Sequence, residues 1–328
     1  MDKKRIHWGI IGCGDVTEKK SGPAFYTLPH TKLTAVMRRN AAKAADYAKR
    51  HNVSNWYDNA VDLINDPEVE AVYIATPPDS HAELTIMALE KGKPVYVEKP
   101  MALTYLQCKE MIQASEKFQT PLYVAYYRRE QPYFLKVKEL LDSGIIGDPK
   151  HVSLRLVREP LPCDTSAIKP WRLDFSKSGG GYFADMGSHQ LDMLMFLFGS
   201  IESQQSFVTN KGHLYETEDY VSSILQFKSG VSAQALWYFT APKGVYDDYV
   251  EVVGTKGTLR FSIFDMTPIV VKTENEVRYD VGKPAIVEAP MISRVSTELL
   301  EGSYQTQGLQ DAAEVTRLIE EILSPYYA

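Results

Sequence analysis

"GIIGCGDVTEKKSGPAF", Gly9 to Phe25, decides the fold. A β-branched apolar run enters a Gly-x-Gly turn. Gly12 suits the tight bend, and Gly14 would let a pyrophosphate approach backbone N–H groups. The stretch departs twice from the usual dinucleotide pattern. Thr17 stands where a third glycine is expected, which should space the next segment slightly further from the strand. Gly22-Pro23 interrupts the helix that should follow. The break predicts a regular helix that starts late, with Ser21 as N-cap and Pro23 in its first turn. Residues Asp15 to Lys20 would then form an irregular turn from which Lys19 or Lys20 could face the phosphates. A glycine pattern alone is equally compatible with a turn whose glycines serve only steric needs, so its surroundings have to decide.

Those surroundings alternate. "IHWGIIG", "KLTAVMRR", "VEAVYIAT", "PVYVEK" and "PLYVAYY" are short apolar runs, separated by helical patterns such as "AAKAADYAKRHN", "DSHAELTIMALEKG" and "TYLQCKEMIQASEKFQ". Near-continuous apolar strands between amphipathic helices imply a parallel sheet covered on both faces. The expectation is an α/β, doubly wound Rossmann domain over residues 1–126. From about Lys150 strands follow one another: "HVSLRLVRE", "YVSSILQFKSGVSAQALWYF", "YVEVVGTKGTLRFSIF" and "PIVVKTENEVRYDV". Three of these are hairpins, turned at Lys228-Ser229-Gly230, Gly254-Thr255-Lys256-Gly257 and Thr273-Glu274-Asn275. One long helix, Gly181 to Phe198, interrupts them. This predicts an α+β second domain over 127–308 with a large open antiparallel sheet. A last helix, Leu309 to Leu323, is free to pack on either domain.

Length and charge exclude several classes. A chain of 328 residues suits two domains, and a formal net charge of -6 offers no footprint for nucleic acid. No apolar run approaches the roughly 20 residues that cross a bilayer. The charged Asp2-Lys3-Lys4-Arg5 leads into the glycine turn rather than a cleavage site, so it reads as the approach to a first strand. Cys13, Cys108 and Cys163 lie far apart without a CxxC, which favours thiols in a reducing cytoplasm.

The end of the second strand carries Met37-Arg38-Arg39-Asn40. An NAD site usually places an acid there for the ribose hydroxyls. A guanidinium instead can pair with a 2'-phosphate and stack on adenine. A solvated charge pair at a strand end is the plain alternative. The missing acid favours NADP over NAD.

"TPPDSHAELTIMALEKGKPVYVEKP", Thr76 to Pro100, and "WRLDFSKSGGGYFADMGSHQLDMLMFLFG", Trp171 to Gly199, resemble the glucose-fructose oxidoreductase, inositol dehydrogenase and MocA family. The resemblance runs from Ile6 to about Phe261 and includes "GTKGTLRF". It implies an NAD(P)-dependent oxidoreductase that moves a hydride between nicotinamide and a secondary alcohol or ketone of a sugar, cyclitol or related polyol. It implies cofactor contacts from Gly12, Gly14, Asp15, Val16, Arg38, Arg39, Thr76, Pro77, His81, Glu98 and Lys99. It adds Trp171 and Arg172 near the nicotinamide. Dimers or tetramers built through the second domain's sheet are also implied. The family includes a regulator that keeps the fold without catalysis, so a cofactor-sensing protein is the alternative.

The chemistry of three positions can be argued without the family. Lys99 lies at the carboxyl end of a parallel strand, where doubly wound sheets bind ligands. Its ammonium can hydrogen-bond a substrate oxygen and favour alkoxide character. Asp185 and His189 are four apart on one predicted helix and so share a face. The imidazole can take or return a hydroxyl proton, while the carboxylate can orient that ring or grip a neighbouring hydroxyl. The plain alternatives are an ion pair between Lys99 and Glu98, a first-turn acid at Asp185 and a satisfied core histidine at 189. A metal on Asp185, His189 and Asp192 lacks a further His/Cys ligand pair, and hydride chemistry needs none.

Overall fold

The structure is a computed structural model and describes residues 5–304 and 308–328. The charged Asp2-Lys3-Lys4 lies outside the described residues. The described chain divides into two compact units, Met1–Tyr127 with Pro284–Thr316, and Arg128–Lys283 with Arg317–Ala328.

In the first unit six strands form one parallel sheet: β1 (Ile6–Ile11), β2 (Thr31–Met37), β3 (Asn55–Tyr57), β4 (Ala71–Ile74), β5 (Val95–Val97) and β6 (Leu122–Val124). Their order is β3-β2-β1-β4-β5-β6, so the winding reverses between β1 and β4. In such sheets ligands bind at the carboxyl ends beside the reversal. The central strands are buried on both faces, as their near-continuous apolar runs require. β3 is three residues long and only partly buried, too brief for a sequence signal.

The second boundary differs from the expected one. The sequence places residues 284–308 in the second domain, yet Pro284–Thr316 joins the first unit. The helix Ala289–Glu301 places Met291, Ile292 and Val295 in one core with Trp8, Phe25, Tyr47, Tyr73 and Tyr96. The last helix, Leu309–Tyr327, runs four residues past its expected end at Leu323.

The second unit holds one eight-stranded sheet: β7 (Pro149–Val157), β8 (Ile201–Thr209), β9 (Tyr220–Phe227), β10 (Ser232–Tyr238), β11 (Asp247–Gly254), β12 (Thr258–Phe261), β13 (Ile269–Lys272) and β14 (Glu276–Tyr279). The order is β14-β13-β12-β11-β7-β10-β9-β8. Every neighbouring pair is antiparallel except β7 and β10, which are parallel. The three expected hairpins are present, and β8 is an added strand. Burial alternates along β7, β9 and β10, so one face is covered while the other carries exposed Ile224.

Candidate active site

The glycine turn closes tightly on the end of β4. Gly12 has φ +95, and a β-carbon there would lie 2.8 Å from Thr76 Cγ2 and 2.9 Å from the Ala75 carbonyl. Gly12 and Cys13 both donate their N–H to the Met37 carbonyl, at 2.9 and 3.1 Å. A β-carbon on Gly14 would meet only the Gly12 oxygen, at 3.8 Å, so the space above the turn is open at this residue.

The irregular turn expected over Asp15–Lys20 is instead a short helix, Asp15–Lys19. Thr17 explains it: its hydroxyl donates to the Gly14 carbonyl at 2.8 Å and accepts the Gly14 N–H at 2.9 Å. That clamp starts the helix at Asp15, leaving the Asp15 and Val16 amides at first-turn positions that have no intrahelical acceptor. The second helix, Gly22–Thr27, starts where Ser21 and Pro23 predicted. The close approach expected of a third glycine falls to Gly22, where a β-carbon would overlap the Thr17 carbonyl.

At the end of β2, Arg38 is half-buried and its Nη1 donates to the Cys13 carbonyl at 3.2 Å, so the guanidinium lies against the turn. Arg39 is exposed. Burial pushes the Cys13 thiol up to about 11 and leaves it inert. These residues fit a dinucleotide. The turn is uncovered at Gly14, helix amides follow it, and a cation stands beside it.

His81, expected among the cofactor residues, has no exposed surface. Its ring nitrogens face the Thr76 carbonyl at 2.8 Å and the Pro100 carbonyl at 3.0 Å. The ring therefore ties the Thr76-Pro77 loop to the segment after Lys99. Burial lowers its pKa against the opposing pull of those carbonyls. Glu98 and Lys99 follow directly on β5. Glu98 is 8 % exposed; its Oε1 accepts the Tyr73 hydroxyl at 2.6 Å and its Oε2 accepts the Lys99 N–H at 3.3 Å. Lys99 is partly exposed. The carboxylate thus holds the lysine by its main chain. The first unit therefore gathers Gly12, Gly14, Asp15, Val16, Arg38, Arg39, Thr76, Pro77, Glu98 and Lys99 at the carboxyl ends of β1, β2, β4 and β5.

In the second unit the single helix expected over Gly181–Phe198 is a π-helical turn, Phe183–Gly187, followed by an α-helix, Ser188–Phe198. Asp185 lies in the π-turn and His189 in the α-helix, so the expected one-turn spacing is altered at its first residue. Asp185 Oδ2 accepts Arg172 Nε at 2.6 Å, and the Arg172 guanidinium lies 4.5 Å from the Trp171 ring centre. The structure thus brings Trp171, Arg172 and Asp185 together. His189 is 5 % exposed and meets the Phe264 ring edge-on at 6.2 Å. Asp192, the third residue weighed for a metal, accepts Arg129 through both carboxylate oxygens at 2.9 and 3.1 Å.

Sequence reasoning missed two supporting groups, Arg129 and Glu218, and it did not foresee that Arg172, expected near the nicotinamide, pairs with Asp185. Glu218 is buried, accepts the Gly181 N–H at 2.7 Å and the Tyr327 hydroxyl at 2.5 Å, and is pushed up to about 7 by desolvation. It fixes the glycine run that leads into the π-turn.

The fold and the turn define a dinucleotide-binding Rossmann domain. The chain belongs to the GFO/IDH/MocA oxidoreductase family: the family's NAD-binding Rossmann domain matches residues 6–126, and its C-terminal domain matches 134–260. It is 37% identical to "Oxidoreductase P35" of Formosa agariphila over 320 residues, 97% of this chain and 98% of that one. An oxidoreductase of Thermotoga maritima superposes with a TM-score of 0.87 at 26% identity, covering 98% of this chain and 96% of that one. Levoglucosan dehydrogenase, in complex with NADH and levoglucosan, shares the fold with a TM-score of 0.88 at 21% identity, covering 98% and 96%. No helix among the described residues is long and apolar enough to cross a membrane.

Proposed function

We propose that this oxidoreductase acts on a secondary alcohol or ketone of a sugar, cyclitol or related polyol, with NADP preferred over NAD. The observation that carries the reading is Lys99 at the carboxyl end of β5, tied by its N–H to Glu98 in the same unit as the open glycine turn. Gly12, Gly14, Asp15 and Val16 would hold the pyrophosphate, with Arg38 and Arg39 at the adenosine end and Thr76, Pro77 and Glu98 towards the nicotinamide. His81 fits a role in shaping the two loops better than one in direct contact. A bound nicotinamide supplies the hydride acceptor or donor.

Each chain residue then has a separable task. The Lys99 ammonium donates a hydrogen bond to the substrate oxygen and stabilises negative charge there during oxidation. His189 takes the hydroxyl proton in oxidation and returns it in reduction. Asp185, already neutralised by Arg172, is better suited to gripping a neighbouring hydroxyl than to polarising the imidazole. Trp171 and Arg172 form the stacked pair that presents it.

The half-exposed face of the second unit's sheet, where Phe207 and Ile224 are 62% and 55% exposed, fits burial against a second copy in a homodimer or homotetramer. Buried Cys13 and Cys108 and exposed Cys163 are not joined by disulfides, which suits a cytoplasmic enzyme.

The test is a screen of purified protein with NADP+, NADPH, NAD+ and NADH against sugars, inositols, anhydrosugars including levoglucosan, and ketosugars. Absorbance of the reduced nicotinamide is followed. Turnover of at least one such compound, faster with the phosphorylated cofactor, is expected. Nicotinamide binding without turnover across the panel would sink the proposal.

A further inference from the structure

A second buried carboxyl stands behind Glu98. Glu288 immediately precedes the helix Ala289–Glu301 and is 1 % exposed. Its Oε2 accepts the Tyr96 hydroxyl at 3.4 Å, and the buried Glu98 carboxyl neighbours it closely enough to push its pKa up. Tyr73, which donates to Glu98, also lies 2.9 Å from Ser21 Oγ. Tyr73 and Tyr96 are register partners on β4 and β5 with stacked rings 5.2 Å apart. A buried chain of neighbours therefore runs Ser21, Tyr73, Glu98, Glu288, Tyr96, and Glu98 Oε2 also accepts the Lys99 N–H. All of these residues belong to the first unit.

Stability does not explain the arrangement. Removing a carboxyl from water costs several kcal/mol, and an apolar side chain of similar size would usually pack there at no loss. Two neighbouring carboxyls away from water resist ionising together, so the pKa of one of them is raised. Resting on the proposed role of Lys99, we propose that Glu288 is a positioning residue: its carboxyl holds Glu98, and Glu98 in turn fixes the main chain that carries Lys99.

The protonation follows from the surroundings. Burial, and then the neighbouring Glu98, push Glu288 well above the carboxylate range, opposed by the Lys20 ammonium and the Tyr96 hydroxyl. Tyr73 and Tyr96 are themselves pushed far up by burial and stay neutral donors. Neutral Glu288 can therefore donate to Glu98. Glu98 receives donors from Tyr73, Glu288 and the Lys99 main chain, which leaves its carboxylate one orientation. Raising the pH until Glu288 ionises replaces that donor by a repelling charge and releases Glu98 from the Lys99 N–H.

Two variants and two readouts test this. Glu288→Gln keeps a donor towards Glu98 without a titrating group, and Glu288→Leu removes the donor. On the substrate returned by the screen, Glu288→Leu is expected to lower kcat by about tenfold or more, with KM for the nicotinamide cofactor within about twofold. Glu288→Gln is expected to retain most turnover at neutral pH and to extend activity further into alkali than the wild type. Infrared difference spectra of the full chain without substrate, wild type minus Glu288→Gln at about pH 8 where Glu218 is largely ionised, should show a neutral carboxylic acid C=O band. Absence of that band, or an alkaline limb in Glu288→Gln matching the wild type, would overturn the proposal. So would a folded Glu288→Leu with normal kcat. If Glu288→Leu does not fold, the Gln pH profile and the band decide alone. Lys99→Met is measured alongside: normal turnover there would defeat the lysine's role itself, while the infrared band still reports separately on the carboxyl pair.

Discussion

In the first unit the candidate groups hang from main chain. Thr17 clamps Gly14, Arg38 lies on the Cys13 carbonyl, His81 spans two loop carbonyls, and Glu98 grips the Lys99 N–H. In the second unit Asp185 hangs on Arg172 and Asp192 on Arg129, side chain to side chain, while Glu218 joins the Gly181 N–H to the Tyr327 hydroxyl. Main-chain anchoring follows from strand ends and short turns and is a property of local sequence. Side-chain pairing depends on which distant element arrives.

The largest expected effect tests whether both halves of this comparison carry chemistry. His189→Asn keeps approximate size while removing the titrating ring. It should lower kcat by about 100-fold or more and flatten the acidic limb of the pH-rate profile, with cofactor affinity by fluorescence little changed. Lys99→Met should be at least as damaging, since the substrate oxygen loses its cationic partner. Near-normal turnover and an unchanged pH profile in His189→Asn would move the proton to another group, with Tyr126, Tyr127 or Lys99 next in line.

The contrast also explains what was legible. The parallel sheet, the late start at Ser21 and the three hairpins were readable because each rests on a local signal: apolar runs, Gly-Pro and short polar turns. Glu288 was not readable, because Ile286-Val287-Glu288-Ala289-Pro290 has only the look of a helix start and its partner Glu98 lies 190 residues away. The same applies to the core role of Met291, Ile292 and Val295, which fixed the boundary differently from the expected one. The π-turn at Asp185 escaped for a subtler reason. Periodicity registers an apolar face, and one added residue in a turn barely disturbs it.

Glu218 tests the second unit's dependence on side-chain pairing. Its pKa is raised to about 7 from an ordinary 4.5 by burial, so the folded chain binds this proton more tightly than the unfolded chain does. The associated stability is fully present below the ordinary value and is lost as pH rises through about 7, to the extent of roughly 3 kcal/mol. Melting curves at about pH 5 and about pH 8 should show the wild type losing stability that Glu218→Gln does not lose. Equal pH dependence in the two proteins would mean that Glu218 ionises without cost, and that its hold on Gly181 is not the strained point of this unit.

The smallest expected effect separates the two arginines after β2. Arg38 is half-buried and already donates to the Cys13 carbonyl, so its removal disturbs the turn for either cofactor as well as any contact with a 2'-phosphate. Arg38→Ala should therefore weaken NADP(H) by about 1–3 kcal/mol and NAD(H) by clearly less, the shared part being the turn. Arg39 is exposed. Its ion pair with a phosphate would form in water and be screened by salt, so Arg39→Ala should cost NADP(H) at most about 1 kcal/mol, fading as ionic strength rises. Dissociation constants for both cofactors, measured by nicotinamide fluorescence at low and high salt, decide the matter. Equal losses for NAD(H) and NADP(H) in both variants would show that neither guanidinium distinguishes the 2'-phosphate. The missing acid at this strand end would then reflect only the need for a cation to close the glycine turn.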